Sequence, residues 1–140
     1  MDLGLMMGWS ICSNVKSRKG SIAYAIELIE EKWYVGLAGN FAERYGSHQT
    51  EKNTRWIQEY EVKENGSFEL REIPIIKGDK DRYDTVHVFE NEMTIEYMKK
   101  YGVDNVRGGY WTSPNLCKDN LFKNHPELYE GGTLERYMVG

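Results

Sequence analysis

The stretch KWYVGLAGNFAERYGSHQ, residues 32 to 49, changes period halfway along. Trp33 to Ala38 has the β-branched and aromatic content of a strand. Asn40 to Gln49 reads as a helix, with Asn40 suited to the N-cap and Glu43 three residues on, as in a capping box. A strand that turns into a helix across one glycine-containing joint limits the chain to folds that mix sheet and helix. On that helix Phe41 and Tyr45 make an apolar stripe toward a core. Asn40, Arg44 and His48 recur every four residues and so stack in an adjoining polar row.

The flanking segments extend this pattern. SIAYAIEL, residues 21 to 28, is a second strand, and the short polar joint IEE predicts an antiparallel hairpin. That joint lacks Asn-Gly or Asp-Gly chemistry, which leaves its turn type open. TEKNTRWIQEYEV adds a second short helix, and a third strand falls near Leu70 to Ile76, where Pro74 requires an edge position or a bulge. GDKDRYD is a polar loop. HVFENEMTIEYMKKYG is the clearest helix: Met93, Tyr97, Met98 and Tyr101 share a face, Lys99 and Lys100 lie in the last turn, and Gly102 ends it. VDNVRGGYW reads as a compact loop. The expected architecture is a small α/β (α+β) domain with a three-stranded antiparallel sheet and flanking helices. Residues 1–20 form an N-terminal arm, 21–112 the domain, and 113–140 a C-terminal extension packing on it.

Length and charge narrow the functional classes. The chain has 140 residues, enough for one domain with its own core. The net charge of −4 argues against a large nucleic-acid footprint but leaves a local basic groove open. Cys12 and Cys117 fit no metal-ligand spacing and are expected to be free thiols in a reducing compartment. No apolar run reaches membrane length, and the first residues lack the pattern of a signal peptide, so a cytoplasmic location is expected.

Tyr34, Gly36, Asn40, Arg44 and His48 form Y-x-G-x-x-x-N-x-x-x-R-x-x-x-H, with Tyr24 ten residues upstream of Tyr34. This resembles the GIY-YIG endonuclease superfamily, in which two tyrosine-bearing strands precede a helix with an essential arginine. ENEMTIEYMKKYGVDNVRGG, residues 90 to 109, resembles the glutamate helix and following segment of its phage- and virus-associated branch. The resemblance spans roughly residues 21 to 112. It implies hydrolysis of a nucleic-acid phosphodiester, DNA favoured over RNA, with one Mg²⁺ or Mn²⁺ held by Glu90. It also implies that Tyr24 or Tyr34 supplies or orients the base, that Arg44 contacts phosphate, and that Asn105 helps hold the site. Tyr34, nearer Arg44 in sequence, is the tyrosine expected to handle the proton.

Each residue also has a plainer reading. The polar row could be solvated surface, and the two tyrosines could be core aromatics. Glu90 could be a first-turn acid favoured by the helix dipole. Glu92 competes with Glu90, but its helical phase turns it outward. His48 would contact phosphate, relay a proton or sit at a fraying helix end. Asn40, Arg55 beside Trp56, Asn105 and Arg107 are candidate substrate contacts, against the alternatives of cap, core tryptophan, turn residue and structural turn. Leu37 stands where many members of the superfamily carry lysine, and no zinc-binding tail follows. A second functional reading is therefore a catalytically silent module of the same fold that binds DNA or a protein partner.

Overall fold

The computed structural model describes residues 22–52, 54–74, 82–116 and 118–129. The expected arm at 1–20, Cys12, Cys117, the end of the expected third strand and residues 130–140 lie outside these. Strand β1 is Ile22–Glu27 and β2 is Trp33–Ala38. Helix α1 is Phe41–Thr50 and α2 is Arg55–Glu59. Strand β3 is Phe68–Glu72, helix α3 is Arg82–Tyr101, strand β4 is Val106–Gly108 and helix α4 is Lys118–Asn124. No helix among the described residues is long and apolar enough to cross a membrane.

The sheet has four strands in the order β3-β1-β2-β4, which corrects the expected three. β1 pairs antiparallel with β2, as the hairpin pattern predicts, and with β3, while β4 runs parallel to β2 from Trp33↔Val106 to Val35↔Gly108. β4 was read as loop because three residues show no strand period; only their partner defines them. β3 is an edge strand, and Pro74 lies just past its end, where no ladder donor is needed.

Helices cover both faces of the sheet. The apolar residues of β1 are buried on both alternations, as a strand covered on two sides requires. Ala23, Ala25, Trp33 and Val35 pack with Met93, Met98 and Val106, the side of α3. Tyr24, Ile26 and Leu28 pack with Phe41, Trp56 and Ile57, the side of α1 and α2. Leu121, Phe122 and Leu128 join the α3 side, so the described part of the C-terminal segment packs on the domain. Arg71 on β3 bonds Glu96 on α3, and the Tyr97 hydroxyl donates to Glu69, locking the edge strand to the long helix.

The β1–β2 turn carries strain. Glu30 (φ 58, ψ 35) and Glu31 (φ 61) are both left-handed, and Lys32 N–H donates to Ile29 O at 3.3 Å. This is type I′ geometry built from residues that disfavour it, at roughly 1–2 kcal/mol each. Replacing the pair with Asn-Gly is expected to raise unfolding free energy by about 1 kcal/mol. Urea unfolding measures it, and an unchanged midpoint would refute the strain.

Candidate active site

Tyr24 and Gly36 face each other across β1 and β2. Gly36 has no left-handed backbone, so conformational freedom does not explain it. Space does: a Cβ there would lie 2.5 Å from the Tyr24 hydroxyl and 2.7 Å from Cζ. The missing side chain lets a fully buried tyrosine lie across the strand.

Helix α1 supplies what meets that tyrosine. Asn40 caps it, accepting from the Glu43 N–H at 3.1 Å. The capped start sets the phase that turns Phe41, Tyr45 and His48 to the sheet. The expected polar row therefore splits. His48 is only 2% exposed, Arg44 stands on the exposed rim, and the Asn40 oxygen is engaged in the cap. The Tyr24 hydroxyl lies 2.8 Å from His48 Nε2, with the ring against Phe41 at 5.3 Å. The Arg44 guanidinium lies near enough to act on the same hydroxyl and oppose the rise in its pKa. The Tyr34 hydroxyl bonds Thr54 instead, while its ring meets His48 edge-on at 5.3 Å. It is thus Tyr24, not Tyr34, whose hydroxyl bonds His48, while the charge of Arg44 acts on both tyrosines.

Glu90 comes from the opposite layer. β4 ends at Gly108 beside Val35, and the Glu90 carboxylate is near enough for its charge to act on both tyrosines. It is 8% exposed, whereas Glu92 is exposed, in line with their helical phases. His87 Nδ1 is 3.1 Å from Glu90 Oε1, and the Gly109 backbone N–H is near enough to favour the ionised carboxylate. Gly109 needs glycine: its φ is +55, and a Cβ would collide with the Asn91 side chain, which accepts from Tyr110 N–H at 3.0 Å.

These surroundings set the charge states. Burial, then the neighbouring Tyr34 and Glu90, push the Tyr24 hydroxyl well above the usual tyrosine range, and Arg44 pulls the other way. Burial first and Glu90 second also raise Tyr34. Burial raises Glu90, with His87 and Gly109 opposing. His48 falls from its ordinary 6.5 to about 4, through burial and then Arg44. At neutral pH Tyr24 is therefore a phenol donating to neutral His48, which assigns the imidazole N–H to Nδ1. That Nδ1 is buried with no hydrogen-bond partner among the described residues.

The depressed His48 pKa gives a stability prediction. Between about 4 and 6.5 the unfolded chain binds the proton and the folded chain does not, so acid favours unfolding. The contribution is complete above pH 6.5 and is lost as pH falls toward 4, on the order of 3 kcal/mol. Urea unfolding across that window should show the slope in wild type and a shallower one in His48→Gln. An equal slope in both would assign it to other groups.

The remaining candidates lie apart from this cluster. Asn105 accepts from Lys32 Nζ at 2.8 Å and donates to Tyr101 O at 2.7 Å. Arg107 is 3% exposed, donates to the carbonyls of Val103, Val106, Ser113 and Pro114, and stacks over Trp56 at 4.5 Å. It braces the turn after α3 and the start of the C-terminal segment. Arg55 is exposed, while Trp56 is buried and donates to Trp33 O at 3.0 Å. Sequence reasoning gave no role to His87, at the start of HVFENEMTIEYMKKYG. The signal was its spacing of three from Glu90, readable once α3 begins at Arg82. A groove of about 360 Å³ between α3 and the C-terminal segment, lined by Ile95, Lys99, Trp111 and His125 among others, meets the surroundings of Glu90 at Asn91 and includes none of Tyr24, Tyr34, Arg44, His48 or Glu90.

No family model, curated protein or solved structure matches this chain.

Proposed function

We propose that this chain is a GIY-YIG-type endonuclease that hydrolyses DNA phosphodiester bonds with one divalent ion, Mg²⁺ or Mn²⁺. The observation that carries the reading is the convergence on one buried hydroxyl. Tyr24 meets His48 at 2.8 Å, with the Arg44 guanidinium near enough to act on it and the Glu90 carboxylate acting on it from the opposite layer. Core packing alone gives no reason to bring a cation, an imidazole and a carboxylate together around a tyrosine.

The donor set at Glu90 fits such an ion. One carboxylate is available, and among the described residues no group of three or more His, Cys, Asp or Glu side chains forms a protein cage. A single carboxylate suits a cation that keeps water and takes its other oxygens from substrate phosphate. Bound there, the ion would supply Lewis-acid charge at the scissile phosphate.

The chain's own groups supply the rest. Arg44, exposed on the rim, binds a phosphate oxygen through its planar fork and steadies charge in the transition state. A water oxygen forms its bond to phosphorus as the bond to the leaving sugar oxygen breaks; the water's proton goes to the Tyr24 oxygen while Tyr24 passes its own to His48 Nε2, and the leaving oxygen takes a proton from solvent. A phenol is a poor base at neutral pH, and this transfer avoids a free phenolate. The substrate's negative charge offsets Arg44, one of the two causes that hold the His48 pKa down.

Incubation with supercoiled plasmid tests the proposal. Nicking that needs Mg²⁺ or Mn²⁺ and stops with EDTA supports it. Retardation of DNA without cleavage in any divalent metal would replace it with the silent binding module, and the net charge of −4 is the observation on that side.

A further inference from the structure

We propose that His87 is a positioning residue that sets the Glu90 carboxylate for cation binding; the proposal rests on the nuclease reading above. A glutamate side chain has three rotatable bonds, and a lone carboxylate with no fixed rotamer makes a weak ligand. Glu90 is held from two independent elements. His87, one turn earlier on α3, brings Nδ1 to 3.1 Å from Oε1, and the Gly109 N–H, just past the end of β4, is near enough to favour the ionised carboxylate. The Gly109 turn is pinned in its turn by Asn91, which accepts from Tyr110 N–H at 3.0 Å. The backbone below is fixed too, because Thr94 Oγ1 donates to Glu90 O at 2.8 Å.

Both donors act on the ionised carboxylate, and each occupies one direction around it. Each carboxylate oxygen has two lone-pair directions, so two donors leave lone pairs for a cation. The i,i+3 spacing lets His87 stand over Glu90 on the same helix face while staying half-buried itself. The two tyrosines lie near enough to feel the carboxylate's charge, and neither replaces the His87 hydrogen bond.

The test uses the full chain with MnCl₂, free Mn²⁺ being followed by electron paramagnetic resonance with a nucleoside bisphosphate as substrate mimic. His87→Ala is expected to raise the Mn²⁺ concentration for half-saturation about 10-fold or more, the usual scale for losing a partner of a ligand. His87→Asn places its amide nitrogen near the Nδ1 position and should recover most of that loss. Plasmid cleavage by His87→Ala should need more metal but approach the wild-type rate at saturation, a split that general destabilisation does not produce. Wild-type Mn²⁺ affinity in His87→Ala, or a loss that His87→Asn fails to recover, overturns the positioning role alone. A wild-type chain that neither binds Mn²⁺ nor cleaves removes this inference together with the nuclease reading.

Discussion

Arg44→Ala is expected to lower plasmid cleavage by roughly 10²–10³-fold or more, the usual cost of losing one donor to transition-state charge. Its fold should survive. Arg44 is exposed and belongs to neither apolar cluster, and substitutions at such positions usually change stability by within about 0.5 kcal/mol. Two losses coincide at this residue. The phosphate loses its planar, bidentate partner, and Tyr24 loses the cation that opposes the rise in its pKa. Arg44→Lys keeps the charge but not the fork and should recover only a small part of the rate. A second readout needs no substrate. Arg44 is one of the two causes that lower His48, so the His48 pKa should rise above about 4 in Arg44→Ala when followed by NMR. Full activity in Arg44→Ala would end the catalytic assignment, and an unmoved His48 pKa would show that the guanidinium does not act on the buried pair.

Gly36→Ala is expected to damage both stability and the placement of the Tyr24 hydroxyl. The new Cβ would stand 2.5 Å from the Tyr24 hydroxyl and 2.7 Å from Cζ. Tyr24 has no exposed surface and is hemmed in by Phe41, Tyr34 and His48, so its ring cannot step aside without displacing them. Overpacking of this kind costs about 1–3 kcal/mol. The hydroxyl is pushed from its place on His48, and a misplacement of about 1 Å can cost on the order of 10²-fold in rate. A double-mutant cycle separates this from simple strand destabilisation. Tyr24→Phe removes the oxygen that the methyl meets most closely, so the pair should lose less stability than the sum of the single changes. Strict additivity would mean that Gly36 is not there to accommodate Tyr24.

The sequence determined the local elements because their signals are local. Asn40 and Glu43 marked the start of α1, and the structure shows the Asn40 side chain accepting from Glu43 N–H. Apolar spacing placed Met93, Tyr97 and Met98 on the buried face of α3 and separated buried Glu90 from exposed Glu92. The hairpin pattern paired β1 with β2, and the structure's register then set Tyr24, Ile26 and Tyr34 on the face that α1 covers. Tertiary structure decided what depends on partners distant in sequence. β4 exists only through its pairing with Trp33 to Val35, and three residues carry no period of their own. Helical spacing could align Asn40, Arg44 and His48 but could not show that the sheet buries His48 while leaving Arg44 at the rim. The same limit hid the roles of Arg107 and His87. Arg107 is consumed by carbonyls of two separate segments, and His87 acquires its meaning from a carboxylate that the Gly109 turn holds in place. Periodicity records which face of an element is apolar. It does not record which polar groups another element brings to that face, because that depends on contacts the chain makes only when folded.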